Sequence, residues 1–100
     1  MKIVWTKSAH EDLKAIRAYI ARDSAYYAAC HVQRIADAVK ALKQFPELGP
    51  MVPEFERYVV REHLVQNYRV FYTIREDRIV ILAVVHAARD IGSIILSERK

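Results

Sequence analysis

At 100 residues the chain is sized for one domain, residues 1–100, whose single core needs no crosslinks. Apolar residues make up 53%, with only two glycines and three prolines, which excludes a disordered or fibrous chain. The lone Cys30 excludes an internal disulfide, no apolar run approaches the roughly 20 residues of a membrane helix, and the N-terminus has no signal-peptide pattern, so a cytoplasmic protein without a membrane partner is expected.

Taken from the start, Lys2-Ile3-Val4-Trp5-Thr6 reads as a short strand. Ser8-Ala9-His10-Glu11 then has the spacing of a capping box, with Thr6 as a competing N-cap. Ala9, Leu13, Ile16 and Ile20 form one apolar stripe, and Lys14 and Arg17 fall outside it. Asp23-Ser24 breaks this helix and caps a second, whose stripe is Ala28, Val32, Ile35, Val39 and Leu42. So short a connection folds two amphipathic helices into an αα-hairpin. Phe45-Pro46 closes the second helix, and a proline-rich loop runs from Pro46 to Glu56.

Three strands follow. Tyr58 to Leu64 is expected to pair with Tyr68 to Arg75, which turns through Glu76-Asp77-Arg78 into Ile79 to Val85. The last run is β-branched and does not alternate, so both its faces are expected to be covered, as in a central strand. Residues Ala87 to Leu96 read as a short helix weakened by Gly92, with Ile94, Ile95 and Leu96 packing on the core. The expected fold is α+β, an antiparallel sheet against an N-terminal helical hairpin, in the order β-α-α-β-β-β with a short C-terminal tail.

The chemistry-bearing residues are few. His10 and His31 have no second ligand at i+4 and Cys30 has no partner cysteine, so no metal is expected, and Cys30 reads as a small buried hydrophobe. There is no glycine-rich phosphate loop and no nucleophile elbow, so no cofactor is expected. Residues 1–46 hold eight Lys/Arg against four Asp/Glu, and residues 47–100 hold eight against eight, so the net charge of +4 lies in the first half. All but one of the cations in the second half are arginines, which suit carboxylate or phosphate contacts. They fit an acidic partner or nucleic acid, or else solvated strand margins paired to Glu62 and Asp90. A binding protein is favoured over a small-molecule enzyme: a sheet edge can accept an extended peptide, and an alanine-rich hairpin can offer a groove to a helix.

A further set of residues occurs in a telling order: Trp5-Thr6, Ala9, Asp12-Leu13, Ile16 and Tyr19-Ile20; the loop Phe45-Pro46-Glu47-Leu48-Gly49-Pro50; Arg61-Glu62; Tyr68-Arg69-Val70-Phe71-Tyr72; and Ile81 to His86 with Arg89-Asp90. In this order and spacing, over nearly the whole chain, they resemble the ParE/RelE toxins of bacterial type II toxin–antitoxin systems. The resemblance implies an RNase-like sheet on a helical hairpin and an antitoxin encoded alongside. RelE-type members cut mRNA on the ribosome without a metal. By that resemblance Arg61, Arg69 and Arg89 would supply cations, and His63 or His86 a base or acid. Such nucleases usually carry a tyrosine, or a His-Tyr pair, near the C-terminus, whereas this chain has no tyrosine after Tyr72. His86-x-x-Arg89-Asp90 looks closer to the ParE branch, whose members poison DNA gyrase. The expectation is therefore a toxin without catalytic residues that inhibits DNA gyrase and forms a hetero-oligomer with a ParD-like antitoxin. The alternative is a RelE-like endonuclease, partnered by ribosome and mRNA, using Arg61, Arg69, His86 and Arg89. On the first reading His86 is a hydrogen-bonded structural residue and Arg69 pairs with Glu62.

Overall fold

The computed structural model describes residues 1–53, 55 and 59–88. Its elements are β1 (Lys2–Trp5), α1 (Lys7–Ala21), α2 (Ala25–Ala41), β2 (Arg61–Val65), β3 (Tyr68–Ile74) and β4 (Arg78–His86). The α+β class and the element order agree with the sequence reading. The four strands lie in the order β1-β4-β3-β2. β2, β3 and β4 are antiparallel neighbours as expected, but β1 runs parallel to β4, so the sheet is mixed. The helical hairpin and two strands separate β1 from β4 in sequence, a connection long enough for parallel pairing.

β4 is the central element. In its ladder with β3, Tyr72 faces Ile81 while Phe71 faces Ala83, so Leu82 has no opposite number. A bulge of this kind turns two successive side chains to the same side. Ile79, Ile81 and Val84 accordingly join the helix-side core with Ala9, Ile35, Val39, Leu42, Val70 and Tyr72. Val80, Leu82, Ala83 and Val85 join the opposite core with Phe71, Val52 and Val60. Two covered faces and a change of phase together explain why this stretch does not alternate. The second face is covered by Val52, Phe55 and Val60, none of them in a helix or strand, and Phe55 meets Phe71 edge-on at 6.0 Å.

The first helix begins one residue after Thr6, whose Oγ1 accepts the Ala9 N–H at 3.1 Å, so Thr6 is the cap and Ser8 lies inside the first turn. The same hydroxyl donates to the Ile81 carbonyl at 2.9 Å, a tertiary bond that Ser8 has no counterpart for. Ser24 caps α2 as expected, accepting the Tyr27 N–H at 3.1 Å.

Several boundaries differ from expectation. β2 starts at Arg61 because Val60 and Val59 bond sideways instead: the Val60 carbonyl accepts the Val52 N–H, and the Val59 carbonyl accepts the Thr73 hydroxyl. Cys30 is half-buried, not buried, since it sits beside the Ala28 stripe and not on it. The expected helix from Ala87 to Leu96, and the Ile94, Ile95 and Leu96 cluster, lie outside the described residues beyond Ala88, and Ala87 and Ala88 form a turn.

Thr6→Val keeps the shape but removes both bonds, so urea unfolding should show a loss of about 1–2 kcal/mol. Ser8→Ala should stay within about 0.5 kcal/mol of the parent.

Candidate functional site

Residues opposite one another in an antiparallel ladder share a face of the sheet. Arg61 stands opposite Tyr72 and His63 opposite Val70, which puts both on the helix side of β2. Arg69 lies on the other face, with Phe71, and Glu62 is opposite Phe71. His86 stands opposite Tyr68 at the end of β4, again on the helix side. Arg61 and His86 are therefore registered with β3 positions four residues apart, a separation of about 13 Å along the strand. Arg69 is on the far side of the sheet from both. Arg89 lies outside the described residues.

Each of the three placed groups has a partner. The Arg61 guanidinium donates to the Gly49 carbonyl at 2.9 Å, and to that of Glu47 at 3.5 Å. It works beside Tyr72, whose hydroxyl donates to the Pro46 carbonyl at 2.7 Å and accepts the Gly49 N–H at 3.0 Å. The Glu62 N–H completes the attachment by donating to the Pro50 carbonyl at 3.0 Å. The Pro46–Pro50 loop is thereby bolted across β2 and β3. Gly49 is required there by close approach: a Cβ would lie 2.3 Å from the Glu62 carbonyl oxygen.

The Arg69 Nε lies 2.5 Å from Glu62 Oε1, with the two side chains only 19% and 29% exposed. Its guanidinium also sits 5.1 Å from the Phe71 ring centre. The carboxylate offsets the charge of this cation and the aromatic face fixes its plane, so it is held within the fold and away from the helix-side face. His86 is exposed, its Nδ1 accepts the Ala88 N–H at 3.2 Å, and its ring meets Tyr68 edge-on at 5.7 Å. It lines a cleft of about 470 Å³ with Asp12, Ile16, Tyr19, Tyr68 and Val84. Among the described residues, no three His, Cys, Asp or Glu side chains stand together to hold a metal ion.

Two residues act in ways the sequence did not reveal. Asp12 Oδ2 accepts the Val84 N–H at 3.0 Å, capping β4 beyond the point where β1 stops alongside it. Its sequence signals are a carboxylate bordering the Ala9-Leu13-Ile16 stripe and its place in the residue set that carries the family resemblance. Tyr72 is fully buried, and its sole clue was its phase on β3.

Burial lowers the His63 pKa below 6.5 by desolvating the imidazolium. Desolvation raises that of Tyr72 above 10.0, against the opposing Gly49 N–H and Arg61 charge. For His63 the unfolded chain binds the proton more readily, so its contribution is complete above pH 6.5 and is lost as pH falls towards the lowered folded value. For Tyr72 the contribution is complete below pH 10.0 and is lost as pH rises through the raised folded value. The urea midpoint of the parent should fall more steeply from pH 7 to 5 than that of His63→Gln; equal slopes would contradict this.

Comparison with known proteins places this geometry. The family described as the ParE toxin of the type II toxin–antitoxin system parDE matches residues 3–91. Toxin RelE2 of Caulobacter vibrioides is 33% identical over 88 residues, which are 88% of this chain and 97% of that protein. A chain from the chromosomal ParDE toxin–antitoxin system of P. aeruginosa superimposes with a TM-score of 0.73 at 27% identity, over 86% of this chain and 95% of the other. The YoeB/ParE toxin from Agrobacterium tumefaciens shares the fold at a TM-score of 0.58 and 22% identity, over 86% of this chain and 98% of its own. The Thr6 cap, the bolted Pro46–Pro50 loop and the bulged β4 all fall inside the matched span, and the chain belongs to the ParE toxin family of type II toxin–antitoxin systems.

Proposed function

We propose that this toxin acts by poisoning DNA gyrase in the cytoplasm and is neutralised by a co-encoded ParD-like antitoxin. The observation that carries the reading is the engagement and separation of Arg61, Arg69 and His86; His63, the fourth placed candidate, shares a face with Arg61, and burial disfavours its charged form. Cleavage of RNA through its 2′-hydroxyl needs a base, an acid and a cation converging on one phosphate. Here Arg69 is paired with Glu62 on one face. Arg61 is bound to the loop carbonyls at one end of the other face, and His86 stands at that face's opposite end. The absence of tyrosine after Tyr72 supports the same reading. Membership of the parDE family and likeness to the P. aeruginosa ParDE system support an antitoxin of ParD type. No helix among the described residues is long and apolar enough to cross a membrane, which agrees with a cytoplasmic target.

One observation favours the RelE-like reading: His86 is exposed at a cleft, its Nδ1 accepting the Ala88 N–H, and the RelE2 relative is similar over most of the chain. That imidazole has no described arginine beside it to balance developing phosphate charge, and this is why the gyrase reading is preferred.

The test is plasmid supercoiling by purified gyrase in the presence of toxin released from its antitoxin. Supercoiling should fall and cleaved plasmid accumulate, with both effects reversed when antitoxin is returned. Arg69→Gln and His86→Ala toxins that remain folded should inhibit as well as the parent. Undiminished supercoiling at a molar excess of folded toxin would sink the proposal.

A further inference from the structure

The end of the helical hairpin carries a surface that the fold does not use. Tyr19, Tyr26 and Tyr27 are 67%, 79% and 57% exposed, and all three lie within residues 19–27, around the α1–α2 turn. Exposed apolar side chains are ordinarily scattered singly, whereas three exposed tyrosines within nine residues of one hairpin end are candidates for a contact surface. Arg22 lies 5.8 Å from the Tyr19 ring centre, Tyr27 meets His31 edge-on at 4.6 Å, and Tyr19 also borders the His86 cleft.

The charge along this end of the hairpin is mostly positive, although Asp12 borders the same cleft as Tyr19. Residues 14–34 contain Lys14, Arg17, Arg22 and Arg34, all exposed, against the single carboxylate of Asp23. Among the described residues no carboxylate forms an ion pair with any of the four. The net positive charge of the chain resides in the half that contains this hairpin.

We infer that the Tyr19–Tyr27 end of the helical hairpin is the face this toxin sets against an acidic protein surface of its target. The inference rests on the gyrase reading for the identity of that target. Tyrosine and arginine are the residue types that dominate interface energetics: tyrosine offers a large rigid area, and arginine a planar fork for carboxylates. A nucleic acid would ask for a row of cations tracking a phosphate backbone. Here Arg22 lies against an exposed tyrosine ring, as a charged rim meets an apolar interface core, and the other cations are spread over two helices. Complementarity to an acidic surface would also speed encounter and make it sensitive to salt. Arg22 and Tyr26 are not among the residues lining the His86 cleft, so this surface can be altered separately from that one.

The test uses the full-length toxin freed of antitoxin, with purified gyrase tetramer free of DNA as the probe. The double variant Arg22→Glu, Tyr26→Ser should bind gyrase at least about ten-fold more weakly and arrest growth less, while its antitoxin affinity and urea midpoint stay those of the parent. Arg17→Glu, a single exposed change, is the second variant should the first lose its fold. Unchanged gyrase affinity in a folded variant would overturn the inference. So would equal losses towards gyrase and antitoxin, which would make the surface the antitoxin's, or parental capture of a labelled DNA duplex through these same residues. If the parent arrests growth without binding gyrase, the gyrase reading fails by itself. Growth arrest then decides the surface: undiminished arrest by the double variant overturns it, and diminished arrest supports it for another acidic target.

Discussion

The hydrogen bonds from Thr6 and Asp12 to β4 hold the two layers of this protein together. Thr6 caps α1 and, with the same hydroxyl, binds the Ile81 carbonyl at the edge of the bulge. One turn and a half further along, Asp12 accepts the Val84 N–H. Asp12 sits where β1 has ended and β4 would otherwise present an unpaired N–H, which is costly when buried. Thr6 instead adds its hydroxyl to a carbonyl that its own N–H already binds, beside the last β1–β4 pair of Trp5 and Ile81. The helix thus closes the sheet edge, and an edge closed in this way is also no template for unwanted strand pairing. Because Leu82 is the unpaired residue, the bulge also sends Leu82 and Ala83 together into the second core. The register of β4 therefore decides what each face of the sheet buries.

The second constraint follows from the first. With the helices on one face, the other face needs a cover, and the chain supplies it with the irregular stretch that includes Val52, Phe55 and Val60. Irregular backbone beside a core must find hydrogen-bond partners outside any ladder. Thr73 provides one there for Val59 and the Val52 N–H one for Val60, and on the helix side Tyr72 and Arg61 do the same for Pro46, Glu47 and Gly49. Arg61, one of the three arginines that the family resemblance made candidate cations, is thereby a fastening for the loop. Arg69, engaged by Glu62 and Phe71, is similarly committed.

Much of this was legible in the sequence because it depends on local periodicity. The stripes of α1 and α2, the Ser24 cap, the β3–β4 hairpin and the two-sided burial of β4 follow from spacing and β-branching. The pairing of Arg69 with Glu62 was legible as one of two alternatives. What was not legible depends on contacts distant in sequence. A four-residue strand such as β1 carries no mark of its direction, so its parallel pairing had to come from the structure. Thr6 outcompetes Ser8 through a carbonyl seventy-five residues away. Arg61 spends its charge on loop carbonyls, and a carbonyl has no sequence signature. His86 was legible as a hydrogen-bonded residue at a strand end, but the separation of Arg69 from it follows only from the register of three strands.

The central claim is that the sheet cations serve the fold and do not assemble around an RNA phosphate. Its most direct test is primer extension on messages from translating ribosomes exposed to toxin freed of its antitoxin. The account predicts intact message at toxin levels that arrest growth. Cuts within the ribosomal A site that disappear in folded Arg69→Gln or His86→Ala toxin would contradict it, and would require the sheet to bring together groups that this structure holds apart.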